Sequence, residues 1–322
     1  MAIVRSTGVG NAPPAAHSIT RLPYHAIWIT LLSLVLVSCA PVRPVVKIGL
    51  LAPFEGLYRR TGYQALGAMR AALSEAAPGA MDFMPLALDA SADVERSAQK
   101  LLADPSVGAV IGPFTPQAVS QAEAAITGAG APWLIPFALN AGASLAPSQA
   151  VAQWLRALIG ASQELAQMQG ALRLVVVGLP PAWLAHTAQG EAHPGRVAVL
   201  YQPVGQDDLS MVASTDAILH LGEPAAVAAY LRTLRADHAT APFLIGVQGD
   251  DPVFAELSEH FAAVYWAAWI DDGYDAWAAT QAAPSPLAYQ VYVATKSAIA
   301  SLAHQPNPAE TAWTIRWYES TP

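Results

Sequence analysis

Adjacent carboxylates are the residues of this sequence whose types could most readily do chemistry. Three acidic pairs occur, at Asp207-Asp208, Asp250-Asp251 and Asp271-Asp272. Because neighbouring side chains point apart on helices and strands, we interpret these pairs as solvated turns rather than acid–base dyads. The eight histidines are dispersed, and the spacing of His186 and His193 is not that of a metalloprotease. Neither a nucleophile elbow nor a glycine-rich nucleotide loop is present. The sequence therefore predicts no enzyme, no metal and no cofactor.

The composition favours a folded protein that acts on something other than nucleic acid. Hydrophobic residues make up 54% of the 322 residues and charged residues 12%, enough to build a sizeable core. The net charge is −8, and the basic residues form no cluster or stripe, so nucleic-acid binding has no electrostatic basis. The single cysteine, Cys39, excludes a disulfide within the chain.

The residues around Cys39 predict export. No acidic residue precedes Glu55, and Arg5 and Arg21 lie ahead of a short apolar run, AIWITLLSLVLV at positions 26–37. This run is shorter than the roughly 20 apolar residues that a stable membrane span needs. Leu36-Val37-Ser38-Cys39 resembles the lipobox of bacterial lipoproteins, in which the cysteine is lipidated and becomes the first residue after cleavage.

We therefore predict a lipoprotein signal peptide at 1–38 and a short tether at 39–44, with Cys39 as the lipidation site. The protein would then lie in the cell envelope, lipid-anchored to a membrane on its extracytoplasmic side. An uncleaved N-terminal membrane segment with an incidental cysteine remains the alternative.

Strand and helix patterns alternate through the rest of the chain. Val45–Ala52 is a continuous apolar run, as in a parallel strand buried on both faces. Further strands are predicted at 83–88, 107–111, 133–136, 172–179, 196–201, 217–221, 243–247 and 263–269, and helices at 63–77, 94–102, 116–127, 148–170, 224–236, 253–260 and 286–303. Strands separated by single helices give parallel sheets. We predict an α/β fold with two doubly wound lobes, whose ligand site lies beyond the carboxyl ends of the strands.

Three ordered segments resemble a known family. KIGLLAPFEGLYRRTG, LALDASADVERSAQKLLADPSVGAVIGPFTPQAV and GAPWLIPFALNA are similar to the type I periplasmic binding proteins, and among them to the leucine/isoleucine/valine-binding branch that feeds ABC importers. The resemblance implies two lobes joined by three crossings. Lobe 1 would comprise 45–145 and about 271–303, and lobe 2 would comprise 146–270 and about 304–322.

Two loops of lobe 1 suit a ligand on physical grounds as well as by resemblance. Phe54, Glu55 and Gly56 form a sharp turn after the first strand, where glycine lets the backbone approach a ligand. Thr115 precedes a helix whose first N–H groups are unpaired and suit a carboxylate, which is the role of the matching residue in the family. Thr115 as a plain helix cap is the alternative, and the two roles are compatible.

Other expected ligand contacts depart from the family pattern. Phe137 and Leu139 stand where the family has an alanine and a threonine, and Gln248 stands where it commonly has a glutamate against the ligand's ammonium. Trp183 and Glu223 are the expected contacts from lobe 2, with His220 nearby. The alternative for Phe137, Leu139 and Trp183 is core packing, and for Glu223 a favourable place at a helix start.

We thus expect a solute-binding lipoprotein of an ABC importer, which closes on an amino-acid-like or more apolar neutral molecule and has the permease subunits as partners. A regulatory or scaffold lipoprotein that reuses the same fold, such as a cell-wall synthase activator or sensor partner, is the alternative.

Overall fold

The computed structural model describes residues 43–76, 79–141, 147–180, 183, 197–203, 209–237, 240–258, 261–305 and 313–320. The predicted signal peptide and Cys39 lie outside these residues. Pro44–Pro322 forms one compact unit.

The first sheet is parallel and lies between two layers of helices. Its strands, in the order β2-β1-β3-β4, are β1 (Val45–Ala52), β2 (Asp82–Asp89), β3 (Val107–Ile111) and β4 (Trp133–Leu134), and its helices are α1 (Arg59–Ser74), α2 (Val94–Leu102) and α3 (Pro116–Ala129). On β1, Leu50 packs in a cluster with Met69 of α1, whereas Leu51 packs on the opposite face with Leu101 of α2. This double burial is why the strand is apolar at successive positions.

The second sheet is larger and ends in an antiparallel strand. Its strands, in the order β10-β9-β8-β7-β5-β6, are β5 (Arg173–Leu179), β6 (Ala198–Pro203), β7 (Asp216–His220), β8 (Phe243–Ile245), β9 (Val264–Ile270) and β10 (Thr314–Glu319). Strands β5 to β9 pair in parallel, and only β10 runs antiparallel, against β9. The helices around it are α4 (Pro147–Met168), α5 (Pro224–Asp237) and α6 (Pro252–Ser258).

Two further helices, α7 (Tyr274–Ala278) and α8 (Pro286–Leu302), follow β9 in the chain. Although α8 comes after most of the second sheet, it packs against α1 and β3 of the first. Its residues Leu287, Val291 and Ala298 share a core cluster with Ile48 and Met69. The chain thus returns to the first sheet before it adds β10 to the second.

These two wound sheets confirm the predicted fold class. Two strands are shorter than predicted: β4 ends at Leu134 and β8 at Ile245, and each is followed by a 3₁₀ helix, at Pro136–Ala141 and Val247–Asp250. Pro136 lacks the N–H that would continue a ladder, which explains the early end of β4. The sequence reading missed α7 and β10 altogether.

Candidate functional site

A cavity of about 400 Å³ lies at the carboxyl ends of the strands of both sheets. The loops after β1, β2 and β3 form one wall, and the loops after β7 and β8 form the other. The lining residues with polar side chains are Tyr58, Thr61, Ser91, Thr115, Gln117, Gln121, Glu223, Asp250 and Asp251. Most of the remaining surface is apolar, including Leu51, Val94, Phe114 and Leu287. The cavity thus offers polar groups on two sides of an apolar interior.

Backbone geometry at the end of β3 brings Thr115 to the cavity. Gly112 has φ +90°, and a Cβ there would lie 2.3 Å from the Leu51 carbonyl oxygen, so only glycine fits. Thr115 then caps α3, its Oγ1 accepting a hydrogen bond of 3.2 Å from the Ala118 N–H. Pro116 occupies the first helical position. The start of α3, with its positive dipole end, therefore faces the cavity.

Asp89, at the end of β2, holds the loop that follows β1. Its carboxylate accepts hydrogen bonds from the backbone N–H of Phe54 at 2.6 Å and of Glu55 at 3.2 Å, and from the Ser91 hydroxyl at 2.6 Å. Desolvation alone would raise the pKa of Asp89, but these hydrogen bonds outweigh it and lower the pKa. Sequence reasoning missed Asp89, although a carboxylate directly after the strand predicted at 83–88 was a usable signal.

Three carboxylates enter the cavity from the second sheet's side: Glu223 before α5, and Asp250 and Asp251 before α6. Burial raises the pKa of each, and in Asp250 it raises the pKa to about 7. Coulombic repulsion from Asp251 adds to the increase for Glu223 and Asp250. Glu223 keeps an exposed side, and it lines the cavity.

The interpretation of Asp250-Asp251 as a solvated turn is wrong. Asp250 ends a 3₁₀ helix, and Asp251 immediately precedes α6. Asp250 accepts hydrogen bonds from the Ser285 hydroxyl at 2.5 Å and the Leu287 N–H at 3.3 Å. The local change of helix type lets both side chains line the same cavity.

The interpretation is also wrong for Asp271, which is 8% exposed. Its carboxylate accepts hydrogen bonds from the Tyr289 hydroxyl and the Gly273 N–H. Its neighbour Asp272 is exposed. Asp207 and Asp208 lie outside the described residues.

The start of α1 connects the two sides of the cavity. The Thr61 hydroxyl donates to Asp251 at 2.5 Å, and the Tyr58 hydroxyl accepts from the Ala225 N–H at 3.4 Å. Arg60 and Glu256 form an exposed ion pair of 2.5 Å nearby, which contributes little to stability. Thr61–Asp251 is the buried member of this set, and we call these three pairs the α1 contacts.

A smaller cavity of about 180 Å³ adjoins the first. Thr115, Gln117 and Glu223 line both cavities. The remaining walls come from the ends of β5 and β7 and from the start of α5, and they include Gly178, Leu179, His220, Gly222 and Ala226.

Of the expected ligand contacts, Thr115 and Glu223 meet at the cavities. Phe54 is half-buried and packs edge to face on Tyr63 with ring centroids 5.5 Å apart, and Glu55 is exposed. Neither residue lines either of the two cavities described above, nor does Gly56. Gly56 has φ +69° and serves the turn.

The other expected contacts lie elsewhere. Phe137 is fully buried and packs edge to face on Trp154, Trp183 is 2% exposed in the same core cluster, and Leu139 packs against that cluster. Their positions match the core alternative. The side chain of Gln248 lies outside the described residues.

Neither a metal site nor a membrane span emerges from the described ranges. They contain no group of three or more His, Cys, Asp or Glu side chains that could hold a metal ion. Within the same ranges, every helix is too short or too polar to cross a bilayer.

Comparison with solved structures identifies the fold. The branched-chain amino acid transporter substrate-binding protein LivJ of Streptococcus pneumoniae, solved with isoleucine, matches with a TM-score of 0.60 at 19% identity, over 83% of this chain and 86% of that one. The leucine-binding protein LivK of Thermotoga maritima matches with a TM-score of 0.57 at 17% identity, over 81% and 84%. An extracellular ligand-binding receptor of Verminephrobacter eiseniae matches with a TM-score of 0.59 at 15% identity, over 83% and 86%.

No protein-family model and no curated protein matches the sequence. The structural matches show that the chain has the type I periplasmic binding fold, with the two sheets as the cores of its two lobes. This confirms the resemblance inferred from the sequence, at the level of the fold.

Proposed function

We propose that the protein binds an amino-acid-like solute between its two lobes. The observation that carries this proposal is the cavity of about 400 Å³ lined from both sheets, with a helix N-terminus and a hydroxyl on one side and three carboxylates on the other. A zwitterion needs this separation of partners, since each of its charges must find an opposite partner once it leaves water.

The carboxylate of the solute would lie at the start of α3. Thr115 and Gln117 line the cavity there, and the helix dipole favours an anion at this end. The Oγ1 atom of Thr115 accepts from the Ala118 N–H, so its own proton is available to a bound carboxylate.

The ammonium group would lie against Glu223, Asp250 and Asp251. These acids supply the negative charge that was expected from a glutamate at the position of Gln248. Because burial raises the pKa of Asp250 to about 7, this acid takes up a proton near neutral pH when the site lacks a cation. A bound ammonium stabilises the ionised forms, so binding releases protons, and affinity rises as the pH rises through about 7.

The aliphatic part of the solute nearest its charged groups would contact Leu51, Val94, Phe114 and Leu287, which line the main cavity. The structural neighbours support an amino acid as the ligand, since one is a leucine-binding protein and another was solved with isoleucine.

The test is calorimetric titration of the purified protein with the free L-amino acids at pH 6 and pH 8. We expect at least one to bind more tightly at pH 8, and Glu223→Gln to weaken it by about tenfold, because a charge-assisted contact is lost. Glu319→Gln is the matched control, because Glu319 is an exposed acid on β10 that does not line the cavity. Absence of binding by every amino acid at both pH values would overturn the proposal.

We further propose that the protein delivers the solute to an ABC permease and is anchored by a lipid on Cys39. The two-lobed fold supports delivery because closure of such a cleft changes the surface that both lobes present. Loss of uptake of the bound amino acid on deletion of the gene would support an importer role.

One observation favours a regulatory or scaffold protein as the second candidate. The α1 contacts join the two lobes through the chain's own residues, Thr61 with Asp251 and Tyr58 with Ala225. A protein that presents one fixed surface to a partner protein would use such contacts. If this candidate is correct, deletion of the gene leaves amino-acid uptake unaffected. The Thr61→Val variant is then expected to change the activity of the partner protein.

A further inference from the structure

His220 is a buried polar side chain that the binding of a simple zwitterion does not use. It ends β7, is 4% exposed, and lines the cavity of about 180 Å³ that adjoins the main one. Its ring packs edge to face against Tyr230 with centroids 5.0 Å apart. A Cβ on Gly222 would lie 2.7 Å from its Cε1 atom, so the ring is closely confined.

The hydrogen bonds of His220 define its tautomer. Nδ1 accepts a hydrogen bond of 3.0 Å from the backbone N–H of Gly222. An N–H cannot donate to a protonated nitrogen, so the proton of the neutral ring is on Nε2. Within the described part of the chain this is the only hydrogen bond of the ring. Nε2 is not among the fully buried polar atoms that lack a partner in the described residues, and His220 lines the smaller cavity, so the Nε2–H can donate to a group bound there.

The surroundings specify an uncharged acceptor. Burial lowers the pKa of His220 to about 4, so the ring is neutral at physiological pH. Glu223 lines the same cavity and disfavours a second carboxylate there. A carbonyl oxygen can accept from Nε2–H without bringing in a charge, and burying it without this partner would be costly.

The two cavities adjoin along Thr115, Gln117 and Glu223, which line both. A solute held by its charged ends near these residues can therefore extend its side chain toward His220. We infer that the smaller cavity is a subsite for the side chain of the solute, where His220 Nε2–H donates to a neutral oxygen. The favoured ligands are amino acids whose side chains end in an amide, over aliphatic ones of the same shape. This inference rests on the proposed function.

Isosteric ligand pairs test it in the wild-type protein. Asparagine and leucine have side chains of the same shape, as do glutamine and homoleucine, and only the first of each pair carries the acceptor. We expect titration calorimetry to show about tenfold tighter binding of at least one amide than of its isostere, since the isostere leaves a buried donor without a partner. His220→Phe, which keeps an aromatic ring but removes the donor, is expected to abolish this preference, so that each amide and its isostere bind with the same affinity.

A spectroscopic measurement covers the case in which His220→Phe does not fold. In protein labelled with ¹⁵N-histidine, the Nε2–H resonance of His220 is expected to shift on addition of the preferred amide and not of its isostere. His304→Asn serves as the control for assignment, because His304 is exposed and its φ of +56° suits asparagine. Equal binding within both pairs and an unmoved resonance would overturn the subsite and leave the proposed function standing. No binding of any amino acid would overturn both.

Discussion

At the scale of single residues, burial decides which ionisable groups matter in this protein. Asp250 lines the cavity, whereas Asp272, an acid from another adjacent pair, is exposed. The sequence shows three identical Asp-Asp pairs, and only the fold shows that Asp251 and Asp271 are buried while Asp272 is exposed. His220 is the same kind of case, because a histidine at the end of a strand can be exposed or buried. Its tautomer depends on the N–H of Gly222, which no sequence pattern reveals.

Because His220 is buried in its neutral form, the free energy of unfolding depends on pH. Its folded pKa of about 4 lies below the value of about 6.5 for an exposed histidine, so the unfolded chain takes up a proton first as the pH falls. We expect this residue's contribution to the free energy of unfolding to be complete above pH 6.5 and to fall progressively toward pH 4, by up to about 3 kcal/mol. Urea denaturation at several pH values measures it.

The comparison must be made between wild type and variant, because Asp250 acts in the opposite direction. Because the pKa of Asp250 is raised to about 7 in the folded state, the folded protein takes up a proton before the unfolded chain does. Its contribution to stability therefore increases as the pH falls from 7 toward 4. His220→Gln is expected to remove the histidine contribution and leave the rest of the profile in place, while His304→Asn leaves the whole profile unchanged. A wild-type profile that coincides in shape with that of His220→Gln would contradict the prediction.

At the scale of elements, the sequence predicts strands better than it predicts what surrounds them. β1 and β3 have the same bounds as the apolar runs that predicted them, because both strands are buried on both faces. The antiparallel β10 was missed because its exposed and half-buried residues give a weak pattern. The lining of the cavity is less predictable. Thr115 and Glu223 were predicted from their place after strands and both line it, whereas the positions of Asp89, Asp250 and Asp251 depend on tertiary contacts. Phe137 shows the opposite error: it was expected to contact a ligand because it follows a strand, but it is buried in the core.

The start of α1 is where one element connects both lobes, and Thr61→Val tests its role. Valine keeps the shape but removes the hydroxyl that donates to Asp251, a buried acceptor that then keeps only the Val253 N–H. We expect the free energy of unfolding to fall by about 1–3 kcal/mol in chemical denaturation. The radius of gyration from solution scattering is expected to increase, because the lobes separate more readily.

Thr61→Ser keeps the hydroxyl and is the matched control, with an expected stability near that of the wild type. If the valine and serine variants are equally stable and equally compact, the Thr61–Asp251 contact does not hold the lobes together.

At the scale of the whole molecule, the prediction concerns attachment through Cys39. Replacing it with serine removes the thiol that would carry the lipid, so we expect Cys39→Ser to lose the acyl chains and to keep its leader. Mass spectrometry of the N-terminus and membrane fractionation measure both changes. Ser38→Ala, which keeps a small residue before the cysteine, is expected to be processed like the parent. A Cys39→Ser variant that matches the parent in mass pattern and membrane association would contradict lipidation.

The late return of α8 to the first sheet has a consequence for biosynthesis. Residues 45–141 contain every strand of that sheet, yet Leu287, Val291 and Ala298 of α8 complete the packing on Ile48 and Met69. During synthesis, these apolar groups emerge about 240 residues before their partner, counting from Ile48 to Leu287. Until then the nascent chain exposes an apolar surface of the kind that holdase chaperones bind. Chains terminated before residue 286 should therefore aggregate or be degraded even though their first sheet is complete.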